Sequence, residues 1–157
     1  MRTVTIYDFS ELSNEAKDRA IAKHYENDNP AEYIMHELIE SLKALCKHYD
    51  WILNDYGSNG YFFDVTLDCE EFVSPAPTKE WIDQCPLTGG CYDVDLLQAI
   101  DGVASLDEAE KKLGNAITKI ENEVAEYETS YEGFQELCEA NGYEFTSYGT
   151  FYDGTDI

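Results

Sequence analysis

Cys85 and Cys91 bracket the segment Pro86-Leu87-Thr88-Gly89-Gly90. Two thiols at that spacing in a glycine-rich loop supply half of a tetrahedral zinc site. The other half is missing nearby, because neither a histidine nor a second cysteine pair follows in the sequence. An incidental loop pair is therefore expected, with a metal-dependent enzyme kept as an alternative reading. Cys46 and Cys138 fall on apolar helix faces and Cys69 on an apolar strand face, where a thiol behaves as a small hydrophobe. Of the three histidines, His36 and His48 lie outside the apolar sector of their helix and read as solvated; His24 reads as half-buried. Asp93-Val94-Asp95 and Asp153-Gly154-Thr155-Asp156 carry carboxylates but match no calcium-loop spacing. Gly89-Gly90 lacks the lysine of a phosphate-binding loop. Because no nucleophile is paired with a base, no enzyme, cofactor or resident metal is expected.

Charge is the stronger signal. The 157 residues carry 33 acids and 10 bases, a formal charge of −23. Residues 48–110 hold fourteen acids and one base, and residues 120–157 ten acids and none. Self-repulsion of that size costs stability. Such a surface repels a nucleic acid backbone and attracts proteins built to grip one. The most concentrated array is on the segment 105–141, which reads as one long helix. At 100° per residue its apolar stripe would comprise Leu113, Ala116, Ile117, Ile120, Val124, Tyr127, Tyr131, Phe134, Leu137 and Cys138. Beside it runs a row of Glu121, Glu128, Glu132, Glu136 and Glu139. Carboxylates three or four positions apart repeat at roughly 5 to 6 Å, on the scale of the charge spacing along a nucleic acid. No lysine interrupts that row to form the usual i,i+4 pairs. Asp93 and Asp95 join it as candidate partner-binding residues.

The elements that must position these groups follow from periodicity. Residues 2–9 alternate as a strand. Ser13 caps a helix running to about residue 27, and Asn29-Pro30-Ala31-Glu32 opens a second, over 30–49, with Ile34, Leu38, Leu42 and Leu45 on its core face. Residues 51–56 and 61–69 read as strands joined by Gly57-Ser58-Asn59-Gly60, whose Asn-Gly pair favours a tight hairpin. Residues 70–90 form a proline-punctuated connection, with one helical turn at 79–84, that is expected to be mobile or to meet a partner. Residues 92–100 make a short helix. Ser105-Leu106-Asp107-Glu108 is a capping box that starts the long helix and Asn141-Gly142 ends it, with Gly114 marking a bend. Residues 143–152 form a final aromatic strand. Length and a hydrophobic fraction of 43% fit one folded domain over 1–157. The odd cysteine count argues against a disulfide framework. Residues 1–7 lack the pattern of a signal peptide and no segment nears 18 apolar residues, so a cytoplasmic protein is expected.

Phe9-Ser10-Glu11-Leu12-Ser13-Asn14-Glu15-Ala16-Lys17-Asp18-Arg19-Ala20, after a short strand, resembles the opening of a group of small, mostly uncharacterised bacteriophage proteins. In these a strand, an F-x-E-L-S-x-E-A-K-like turn and a helix are followed by a second helix and an aromatic, glycine-containing hairpin. The resemblance covers about the first 70 residues and brings no catalytic residues. It implies a phage setting, in which small acidic proteins inhibit host defence, as anti-CRISPR and anti-restriction proteins do.

The fold class expected is α+β: a small antiparallel sheet of the N-terminal strand, the central hairpin and the C-terminal strand, packed against helices. The function expected is non-enzymatic. The glutamate row would stand in for phosphates and block the basic, nucleic-acid-binding surface of a host defence protein, a CRISPR effector or restriction enzyme, by mimicry. The partner is a protein, with no direct nucleic acid and no membrane. A second class is a regulatory or antitoxin-like module that binds its partner by apolar contacts through the 70–90 loop or the C-terminal strand.

Overall fold

A computed structural model of the chain describes residues 5–59 and 62–152. Residues 2–4 of the expected first strand, Gly60 of the hairpin turn, Tyr61 and the Asp153/Asp156 pair lie outside the described residues. The described chain gathers into two compact units. One takes the residues up to Glu32 and those from Glu123 onward; the other is Tyr33–Asn122. The fold class is α+β, with six α-helices and two small antiparallel ladders among the described residues.

In the first unit, Asp8 caps a short helical turn, Phe9–Glu11. Ser13 then accepts the Ala16 N–H at 3.2 Å and opens α1, Asn14–His24. An oxygen acceptor there satisfies one of the donors that a helix start leaves orphaned. Ala16, Ala20 and Ile21 turn inward against Phe9, Leu12, Phe134, Cys138 and Phe145. The C-terminal hairpin pairs β3, Glu144–Phe145, with β4, Phe151–Tyr152. Tyr7 joins it by exchanging both backbone hydrogen bonds with Phe145, at 2.8 and 2.9 Å. The hairpin's Gly149, at φ +97°, sits where a Cβ would lie 2.2 Å from the Ala16 carbonyl oxygen, so only glycine permits this approach to α1.

In the second unit the face of α2, Glu32–His48, that carries Ile34, Leu38, Leu42 and Leu45 is buried. Each such side chain withdrawn from water contributes about 1.5–3 kcal/mol. The chain then makes β1, Ile52–Ser58, and β2, Phe63–Asp68, in antiparallel register with a bulge between Leu53 and Asp55. Phe63, Val65 and Leu67 face the core, while Asp64, Thr66 and Asp68 face out, as the alternation predicts. The 70–90 connection, expected to be mobile or to meet a partner, makes contacts within its own unit. Ser74 Oγ donates to the Val103 carbonyl at 2.7 Å, Gly102 N–H to the Pro75 carbonyl at 2.8 Å, and Phe72 stacks on Trp51. Two short helices follow, α3, Lys79–Ile82, and α4, Tyr92–Ile100.

α5, Leu106–Glu128, lies along the free edge of β2. Glu110, Gly114 and Thr118, four residues apart, share one row of that helix. Glu110 Oε2 accepts the Leu67 N–H at 2.6 Å and Thr118 Oγ1 the Phe63 N–H at 2.8 Å. Between them a Cβ on Gly114 would meet the Phe63 carbonyl oxygen at 2.5 Å. Gly114 thus serves a close strand approach.

The long helix expected over 105–141 is two helices, α5 and α6, Tyr131–Asn141. Thr129 and Ser130 interrupt it. Ser130 Oγ accepts the Gly133 N–H at 3.1 Å and caps α6, while Ser130 N–H returns to the Tyr127 carbonyl at 3.0 Å. The strand set also differs in detail, because the central hairpin and the ladder of Tyr7, β3 and β4 are separate pairings.

Candidate functional site

Breaking the helix changes which carboxylates meet. A 100° count through residues 129–130 places Tyr127 and Tyr131 in the core stripe, yet they are 42% and 38% exposed. Tyr127, near the end of α5, donates its phenol proton to Glu136 Oε2 on α6 at 2.6 Å. That hydrogen bond, then partial desolvation and the charges of Glu136, Glu132 and Glu128, push the phenol up to about 12. A phenolate among three carboxylates would add a fourth like charge, which is why the proton is held. The structure therefore brings Glu128, Glu132 and Glu136 together around Tyr127. Along α6 the row Glu132, Glu136, Glu139 keeps its helical repeat and is exposed. Glu139 accepts the Gln135 amide at 3.0 Å. Glu121, half-buried on α5, is counted with the other unit. The row does not run unbroken from Glu121 to Glu139.

Gly133 fixes this turn. A Cβ there would sit 2.0 Å from the Tyr127 carbonyl oxygen and 2.8 Å from the Tyr127 ring, so the first turn of α6 closes directly over Tyr127. Beside it Tyr131 donates to Asp18 Oδ1 at 2.7 Å, and that bond, with some desolvation and the Asp18 charge, raises its phenol too. Two bases of α1, Lys17 and Arg19, lie over aromatic faces. Lys17 Nζ lies 5.2 Å from the Tyr131 ring centroid, and the Arg19 guanidinium 3.7 Å from that of Tyr148. Such contacts use the ring quadrupole and leave carboxylate charge unneutralised.

Asp93 does not belong to a partner-binding surface. It is wholly buried. Its Oδ1 accepts the Ser41 hydroxyl at 2.7 Å and the Thr88 hydroxyl at 2.8 Å. Oδ2 accepts the N–H groups of Leu87, Thr88 and Gly89 at 2.9, 2.7 and 3.1 Å. Burial pushes the carboxyl up, but these donors outweigh it and hold it below the usual aspartate range. Asp93 is the anchor of the 85–90 loop. Asp95, one turn-face away on α4, remains exposed.

The thiols and histidines take quieter places. Burial pushes Cys46 up to about 12, and burial with the Glu139 charge pushes Cys138 to about 11, which suppresses both as nucleophiles. Cys85 is half-buried at φ +51° and Cys91 exposed. Among the described residues no three His, Cys, Asp or Glu side chains converge on a metal position. His36 and His48 are exposed, His48 against the Trp81 ring at 4.8 Å. His24 is exposed rather than half-buried and borders an aromatic cavity. Among the described residues no helix is long and apolar enough to cross a membrane. Comparisons with protein-family models, curated proteins and solved structures find no match.

Proposed function

We propose that the protein is a non-enzymatic acidic inhibitor that occupies the basic, nucleic-acid-gripping surface of another protein. In the bacteriophage setting that the sequence resemblance implies, that protein is a CRISPR effector or restriction enzyme of the host. The observation that carries the reading is the convergence of Glu128, Glu132 and Glu136 on Tyr127, continued along α6 by Glu139. Lysines and arginines that hold a phosphate backbone would find carboxylates at comparable spacing. Pairing every base of the chain with one acid still leaves the net charge of −23 to be offset by a partner.

The test is competition. A restriction endonuclease or CRISPR effector is titrated with the protein in the presence of its DNA, at about 50 and about 200 mM salt. The inhibitor should displace DNA and lose affinity as salt rises. The triple variant Glu128→Lys, Glu132→Lys, Glu136→Lys should bind at least tenfold more weakly. A matched variant, Glu70→Lys, Glu71→Lys, Glu80→Lys, alters exposed acids elsewhere by the same charge and should retain most binding. Equal losses in both would leave net charge alone as the cause and remove the cluster from the mechanism.

A second reading, a regulatory module binding by apolar contact, is favoured by a different feature. Ile52 and Val73, 55% and 69% exposed, line a groove of about 620 Å3 in the second unit together with Glu70 and Glu71. Binding there would be nearly indifferent to salt, which separates the two readings.

A further inference from the structure

The first unit contains a cavity of about 230 Å3 walled by His24, Phe134, Tyr143, Phe145 and Phe151, with Lys23 at its margin and Gly149 at its base. Its rings do not stack. Tyr143 and Phe151 meet at 80° with centroids 5.1 Å apart, Phe145 and Phe151 at 74° and 6.3 Å, and His24 and Phe134 at 72° and 5.3 Å. Parallel rings would close on one another. The observed contacts are edge-to-face, and the space lies beside the rings that make them. The volume falls below the roughly 300–1,000 Å3 of pockets for drug-sized ligands, so the guest is a small group.

We propose that this cavity is an aromatic cage for a quaternary ammonium group. Four observations select a cation over a neutral or anionic guest. The walls are aromatic rings, whose faces attract positive charge. The protein's net charge of −23 raises the local concentration of cations and opposes anions. The one lysine at the rim is ion-paired with Glu26, whose Oε2 lies 2.8 Å from Lys23 Nζ. The last carbonyls of α1, which ends at His24 beside the cavity, add the negative end of a helix dipole. A quaternary ammonium needs no hydrogen-bond acceptor, which suits walls that offer few. The group can arrive as a free headgroup or as trimethyllysine on a protein; the chemistry recognised is the same. This site is separate from the glutamate cluster and does not depend on it.

The test uses the full chain with choline and its neutral isostere 3,3-dimethyl-1-butanol, read by NMR shifts of the cavity residues and by calorimetry. Choline should bind about tenfold or more tightly than the isostere, the ratio that a cation–π contribution near 1.4 kcal/mol gives. A short peptide carrying trimethyllysine, against the same peptide with unmodified lysine, distinguishes the protein-borne source from the free headgroup. Phe151, half-exposed at 50%, can be removed without emptying the core. Phe151→Ala should lose at least about tenfold in choline affinity while its unfolding midpoint stays near that of the parent. Equal affinity for choline and the isostere would make the cavity a plain apolar pocket and overturn the proposal. So would no binding of either cationic probe, or choline binding untouched by Phe151→Ala.

Discussion

Asp93 shows how far a single carboxylate departs from what its residue type suggests. An aspartate in an acidic stretch ordinarily faces water; four of its five donors come from residues 87–89, four to six positions away, and only Ser41, 52 positions away, lies beyond any local pattern. What the sequence did offer was Thr88-Gly89-Gly90, a run of small residues able to curl around an acceptor. Asp93→Asn turns an amide N–H2 toward donors and leaves some unsatisfied. It should cost roughly 2–4 kcal/mol in urea unfolding. The pH dependence follows from a folded pKa below the unfolded value. The Asp93 contribution is complete above the unfolded pKa of about 3.9 and disappears as pH falls through the lower folded value. Between about pH 5 and 2 the parent should therefore lose more stability than Asp93→Asn, by a comparison of unfolding midpoints. Tyr127 has the opposite sign. Its phenol, raised to about 12, contributes below the ordinary value near 10 and ceases to as pH climbs through 12. Glu136→Ala removes the acceptor, the largest cause, and should bring the phenol titration back toward 10. An unchanged ultraviolet titration curve would show that Tyr127 and Glu136 are not bonded in solution.

At the scale of elements, the legible parts are those with strong local periodicity or unambiguous caps. The core face of α2, the alternation of β2 and the capping residues Ser13 and Ser105 were readable because each depends on neighbours within a turn or a pleat. The break between α5 and α6 was not, because residues 105–141 keep a nearly continuous apolar repeat across it. Its signal was Ser130 with Gly133 three positions on, a cap followed by a residue with no Cβ. Since an alanine at 133 would overlap the Tyr127 carbonyl, Gly133→Ala should destabilise by about 1–3 kcal/mol, although alanine is the better helix former by about 1 kcal/mol. The strand edge makes a parallel case. Thr118 Oγ1 accepts from Phe63 N–H while donating to the Gly114 carbonyl at 2.8 Å. Thr118→Val keeps the shape and removes both bonds, orphaning a strand N–H that the helix now covers. The expected cost is about 1–3 kcal/mol, with the Phe63 amide losing protection in hydrogen exchange. Protection equal to the parent's would mean that the N–H has another acceptor.

For the molecule as a whole, one quantity acts in two directions. The ten bases cannot offset 33 acids, and Lys17 and Arg19 lie on aromatic rings. The folded chain therefore concentrates repulsion that the unfolded chain spreads out. Raising ionic strength from about 0.01 to 0.15 M shortens the screening length from about 30 to 8 Å, which relieves repulsion between distant carboxylates and leaves contacts such as Lys23–Glu26 at 2.8 Å largely intact. The isolated protein should accordingly unfold at a higher temperature in the more concentrated salt. The same screening weakens attraction to a basic partner, so the complex should dissociate more readily over the same interval. Opposite slopes, measured by thermal unfolding of the free protein and by titration of the complex, are what a surface kept acidic for recognition requires. A stability that rises with salt beside a binding constant that does not fall would place the partner contact on apolar surface such as the Ile52 and Val73 groove, and would take the carboxylates out of recognition while leaving the fold as described.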